Sequence, residues 1–134
     1  CNSDQYFKWN SSQAMYKFKK SNVDGAILTF KAIHPKWSYA KTNKKGDVIE
    51  VAEKRIISED ATVGLYYWKK GKEFVSNAER MIKKNIRVNN EFYVCPVYNE
   101  AILNNKKIVI SKVEEMQGLG TPEDLDDFIR NNKK

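Results

Sequence analysis

The chain has 134 residues, enough for one domain with a substantial core, and its 41% apolar and 31% charged residues are ordinary for a globular protein. No apolar run approaches the roughly 20 residues that cross a bilayer. The cysteines Cys1 and Cys95 form no metal-ligand pair, and the lone His34 excludes a histidine-rich metal site. The expectation is a protein of the reducing cytoplasm with no membrane partner.

The formal charge of +7 admits either nucleic acid or a small anion as partner. Its lysines come in short groups, such as Lys44-Lys45, Lys83-Lys84 and Lys106-Lys107, at the ends of elements. There they keep helices and strands solvated. An anionic small molecule needs only this modest positive field, so no nucleic-acid partner is expected.

Residues Cys1-Asn-Ser-Asp4 read as the end of a strand entering a loop. A first helix follows, capped by Asn10 or Ser11, with Ala14, Met15 and Phe18 on one face. Gly25–Ile33 is too continuously apolar for a half-exposed strand and reads as a central strand covered on both sides. Trp37–Lys41 and Val48–Lys54, joined through the turn Asn43–Asp47, form a hairpin. Ala61–Trp68 is a second buried strand.

Phe74, Val75, Ala78, Met81 and Ile82 keep helical spacing between Lys72 and Lys84. The stretch from Glu91 to Leu103 ends as a helix, while Pro96 leaves its first half undefined. Lys107–Val113 is a strand. The last helix is marked by Thr121 as cap and Pro122 at its first position, with acidic Glu123 and Asp124 in the first turn. This alternation predicts an α/β sandwich around a mostly parallel sheet with a local antiparallel hairpin. Residues 1–134 form a single domain with a loose basic tail at 130–134.

Three patterns carry chemistry, each with two readings. Asp4 lies near a predicted strand end, where open α/β sheets hold ligands; it is either a ligand for a hard cation such as Mg²⁺ or a turn-forming residue. Glu53-Lys54 is either a surface ion pair or a carboxylate for sugar hydroxyls beside an ammonium for a phosphate. Gly25 either lets a ligand approach the backbone or completes a turn. Gly118-Leu-Gly-Thr121 fits a phosphate at a helix start and fits a tight turn equally well. Cys95 reads as a small buried hydrophobe.

In order and spacing, several short segments resemble the sugar-1-phosphate nucleotidyltransferase family. They are Asn2-Ser-Asp-Gln5, Asp24-Gly-Ala26, Trp37-Ser-Tyr-Ala40, Val51-Ala-Glu-Lys54, Thr62-Val-Gly-Leu-Tyr66, Asn90-Glu-Phe-Tyr93 and Gly118-Leu-Gly-Thr-Pro-Glu-Asp-Leu125. The resemblance covers residues 2–129 and about the second half of such an enzyme.

It implies part of a Rossmann-like nucleotidyltransferase sandwich and Mg²⁺ as cofactor, with a sugar 1-phosphate and a nucleoside triphosphate as substrates. By the same resemblance Asp4 is the metal-binding and catalytic aspartate, and Glu53 binds sugar hydroxyls. Lys54 meets the sugar phosphate as a catalytic and substrate-binding residue, and Gly25 and Val63 line the sugar pocket through their backbone. Many members have a second metal-binding aspartate where this chain has Gly118, so the resemblance implies either a single carboxylate anchoring the metal or a substitute such as Glu114 or Glu115.

The family's glycine-rich triphosphate loop would precede Cys1, so the expectation is a fragment, inactive alone, whose exposed strand edges favour homo-oligomers. The alternatives are a metal-dependent glycosyltransferase of the related fold and a non-catalytic sugar-phosphate-binding module.

Overall fold

In the computed structural model, which describes residues 1–132, strand β1 (Gln5–Lys8) leads into helix α1 (Ser11–Lys20). The Asn10 side chain accepts from Gln13 N at 3.0 Å and caps α1. Lys17, Lys19 and Lys20 in its last turn suit the negative end of the helix dipole. Residues 1–4 are irregular rather than the end of a strand, and β1 begins at Gln5, where the sequence predicts a loop, so Asp4 precedes a strand instead of following one. Backbone bonds tie this stretch down: Asn2 N donates to Gly64 O at 3.0 Å, and Asp4 O accepts from Leu119 N at 2.8 Å.

Strands β2 (Gly25–Lys31), β3 (Tyr39–Thr42), β4 (Val48–Ala52) and β5 (Asp60–Trp68) follow without an intervening helix. Helices α2 (Gly71–Lys83) and α3 (Val97–Leu103) then lead to β6 (Ile108–Lys112), β7 (Glu115–Gly118) and α4 (Pro122–Asn132). Thr121 caps α4 as its sequence predicts, its Oγ1 accepting from Asp124 N at 3.1 Å. The basic tail expected at 130–134 lies within α4 as far as Asn132; residues 133 and 134 fall outside the described chain.

The five-stranded sheet has the order β4-β3-β5-β2-β6, and β1 pairs with β7 in a separate two-stranded sheet. The sheet is mixed rather than mostly parallel: only β2 and β6 run parallel, while β2–β5, β3–β4 and β3–β5 are antiparallel. The physical reason lies in the connections. A parallel pair needs a long crossover: β2 and β6 are joined by all of residues 32–107, while β5 inserts between β2 and β3 and runs opposite to both. Among the helix-free links only β3–β4 is a direct antiparallel return, and α2–α3 joins β5 to β6, which run in opposite directions on either side of β2. The local antiparallel hairpin is present, and its tip reaches back to β6 through a bridge between Asp47 and Val109.

Strand β2 is covered on both faces, as its apolar run predicts. Ile27 packs with Val48, Val51, Cys95, Tyr98 and Ile108 on one side, and Ala26 packs with Ala14, Phe18 and Val23 on the other. In β5, Gly64 has φ +83°, and the β2–β5 register shifts between Ile27 and Thr29 opposite it. This bulge is a conformation glycine adopts without penalty. A Cβ at Gly64 would also collide with the Asn2 side chain.

Candidate functional site

Two clefts meet where β3 begins. Trp37 lines one and its neighbour Ser38 lines the other, and Asp4 and Asn2 divide in the same way. The two clefts thus draw on the same two stretches of chain.

The first cleft, about 290 Å³, is lined by Asn2, Ser38, Glu53, Tyr66, Phe92, Tyr93, Val94 and Cys95. Glu53 sits just past the end of β4, its Oε2 accepting from the Ser38 hydroxyl. Burial pushes the Glu53 carboxyl above its ordinary value, opposed by the Ser38 hydrogen bond and the Lys54 charge. Behind it, burial pushes the Cys95 thiol up to about 12, which leaves it neutral. Tyr66 OH shares a 3.1 Å hydrogen bond with Thr62 Oγ1, and burial likewise raises its pKa. The cleft therefore offers a carboxylate, a serine hydroxyl and neutral aromatic walls, a lining suited to a polyhydroxylated ligand.

Lys54 stands exposed beside this cleft, its Nζ donating to Tyr93 OH at 2.7 Å. The hydrogen bond to Tyr93 holds its pKa above the ordinary lysine value. Among the described residues no salt bridge joins Lys54 to Glu53. The adjacent opposite charges thus face different partners.

The second cleft, about 180 Å³, is lined by Asp4, Gln5, Lys36, Trp37, Gly118, Gly120, Thr121 and Asp124. Its floor is open because two glycines face it. A Cβ at Gly120 would lie 3.0 Å from Asp4 Oδ2, and one at Gly118 would lie 3.4 Å from Asp124 Oδ2. Gln5 Oε1 is buried, with no hydrogen-bond partner among the described residues.

Glu114 and Glu115, the residues expected to share a metal with Asp4, lie elsewhere. Glu115 forms an ion pair with Lys8 at 2.7 Å. Glu114 lines a third cavity, about 390 Å³, between α1 and β6. The carboxylate beside Asp4's cleft is Asp124, which the first turn of α4 presents. Among the described residues no group of three or more His, Cys, Asp or Glu side chains converges. Two carboxylates are nonetheless the donor set Mg²⁺ takes from a protein when substrate phosphates complete its shell, so Asp4 and Asp124 fit that ion.

The remaining expected residues stand apart from both clefts. Val63 is fully buried in β5 next to the bulge. Gly25 begins β2 opposite Trp68, whereas the Glu53 end of the sheet lies where Phe30 pairs with Ala61. A Cβ at Gly25 would meet Ile108 and Tyr98 side chains, each at 2.9 Å, so packing accounts for this glycine. Ser38 and Tyr93 belong to the quoted segments Trp37–Ala40 and Asn90–Tyr93, but their place in the cleft emerges only from the fold.

The mixed α/β sheet with its two-stranded annex matches solved structures in fold. A nucleoside-diphosphate-sugar pyrophosphorylase from Vibrio cholerae RC9 superposes with a TM-score of 0.80 at 24% identity, over 95% of this chain and 53% of its own. A putative glucose-1-phosphate thymidylyltransferase from Bacillus anthracis, solved with a sucrose, superposes with a TM-score of 0.69 at 16% identity, over 98% of this chain and 53% of its own. The chain thus spans about half the length of each. No family model and no curated protein sequence matches the chain. Among the described residues no helix is long and apolar enough to cross a membrane.

Proposed function

We propose that the chain supplies the sugar-phosphate side of a nucleotidyltransferase, which joins a sugar 1-phosphate to the nucleotidyl group of a nucleoside triphosphate and releases pyrophosphate. The observation that carries this reading is the pairing of a half-buried carboxylate, Glu53, with an exposed ammonium, Lys54, beside one aromatic-walled cleft. Glu53 accepts hydrogen bonds from sugar hydroxyls, with Ser38 fixing its orientation. Lys54 neutralises the sugar's phosphate, whose oxygen attacks the α-phosphorus of the triphosphate. Binding and orientation carry most of the effect in such transfers. No described residue is assigned to the triphosphate. Two free thiols go with a reducing cytoplasm.

Asp4 and Asp124 would hold Mg²⁺ in the neighbouring cleft. The chemistry Mg²⁺ supplies when bound is charge neutralisation on substrate phosphates. Mn²⁺, used as a paramagnetic stand-in, is expected to broaden the amide signals of Gly118 to Thr121 first. In Asp124→Asn the same broadening should need several-fold more metal. An unchanged Mn²⁺ requirement removes Asp124 from the site.

Calorimetry with glucose 1-phosphate tests the reading itself. Lys54→Ala is expected to weaken binding about 10-fold or more, the cost of losing a charged hydrogen bond, and to leave any weak binding of glucose unaltered. Equal affinity of parent and variant for glucose 1-phosphate overturns it.

A further inference from the structure

Lys54 has a backbone φ of 53°, in the left-handed region that a residue with a Cβ occupies only at a cost. A lysine on the surface normally samples many rotamers. This one is held twice, by its 2.7 Å hydrogen bond to Tyr93 OH and by the Tyr93 ring, whose centroid lies 4.8 Å from Nζ. Tyr93 OH donates its own proton to Glu91 Oε2 at 2.6 Å. The phenol oxygen therefore has a lone pair for the ammonium and no proton directed at it.

The segment carrying Tyr93 is itself braced. Val88 and Glu91 exchange backbone hydrogen bonds of 3.0 and 2.9 Å, closing a turn over Asn89 and Asn90 with φ of 48° and 62°. Positive φ at both central positions is the pattern of a type I′ turn, which asparagine tolerates. Arg87 donates to Asn90 O at 2.9 Å and lies 3.9 Å from the centroid of the Phe92 ring.

We propose that Tyr93, oriented by Glu91, is a positioning residue that holds the Lys54 ammonium beside the Glu53 cleft, in place for a substrate phosphate. This rests on the sugar-phosphate reading of the cleft. Ordering the lysine before the ligand arrives removes part of the entropic cost of binding. The direction of the Lys54 pKa agrees, since the hydrogen bond to Tyr93 is the largest cause raising it.

The test follows the ¹³Cε signal of Lys54 through a pH titration in the ligand-free protein, assigned by its loss in Lys54→Ala. Tyr93→Phe keeps the ring and removes the hydroxyl. It is expected to lower the Lys54 titration midpoint and to weaken glucose 1-phosphate and inorganic phosphate binding roughly 3- to 10-fold. Glu91→Gln should act in the same direction and less strongly. A Lys54 midpoint unmoved in Tyr93→Phe overturns the proposal and leaves the sugar-phosphate reading standing. A lowered midpoint supports the tether even where Lys54→Ala binds glucose 1-phosphate normally, an outcome that would instead sink the sugar-phosphate reading.

Discussion

Tyr98→Ala is expected to cost about 3–5 kcal/mol of folding stability, the upper range for deleting a buried aromatic ring. Tyr98 is fully buried and stacks on Trp68 with ring centroids 4.3 Å apart. Its hydroxyl lies 3.1 Å from Ala26 O and 2.8 Å from Tyr67 O, so one residue of α3 fastens both β2 and β5. Burial raises the phenol's pKa, which keeps the proton it donates at any working pH. For a domain of this size the loss corresponds to a melting temperature lower by roughly 10–20 °C. Tyr98→Phe should cost less, about 1–3 kcal/mol, because it removes only the donor and leaves carbonyls underserved. Denaturant unfolding measures both. A loss below about 1 kcal/mol for Tyr98→Ala would mean that α3 is not fastened to the sheet through this ring.

Glu53→Gln should stabilise the ligand-free protein at neutral pH while weakening ligand binding. Burial raises this carboxyl above its ordinary value of 4.5. The folded state therefore binds the proton more tightly than the unfolded chain. Its favourable contribution is present below the ordinary value and is lost as pH rises through the higher folded one. Glutamine does not titrate, so at pH 7 the variant is expected to melt above the parent. The gap should close below about pH 4, where glutamate is protonated in both states. With glucose 1-phosphate present the order should reverse, since the variant lacks an ionised acceptor worth about 10-fold or more in affinity. Thermal melts across pH, with and without the sugar phosphate, check this. A variant that is less stable at pH 7 without ligand, or equally protected by it, contradicts the role given to Glu53.

What the sequence shows, and what it hides, divides along the range of the interactions. Asn10 and Thr121 cap helices through residues three positions away, so α1 and α4 are legible from local pattern. The run Gly25–Phe30 announces burial on both faces because no charged residue interrupts it, and the strand ends at the exposed Lys31. Strand direction is not a local property. It depends on where each strand inserts in the sheet: β5 comes between β2 and β3 and runs opposite to both, which the alternation of elements along the chain does not reveal. The short strands β1 and β7 escape for a related reason: Gln5–Lys8 and Glu115–Gly118 carry too little apolar alternation alone, and pairing with each other defines them.

The site shows the same division. Glu53 and Lys54 are neighbours in sequence and legible as a pair. Tyr93 reaches Lys54 from a distant segment, and Asp124 comes to Asp4's cleft only through the start of α4. Gly25 illustrates the converse. A glycine at the start of a strand suggests a ligand passing close to the backbone, but here the close neighbours are the Tyr98 and Ile108 side chains.

The most direct test of the central claim is an amide NMR titration of the chain with glucose 1-phosphate. The account predicts the largest shifts at Ser38, Glu53, Lys54 and the segment from Phe92 to Cys95, around the 290 Å³ cleft. Shifts centred instead on Trp9, Lys17 and Ser111, around the larger 390 Å³ cavity between α1 and β6, or no saturable shift at all, would contradict it.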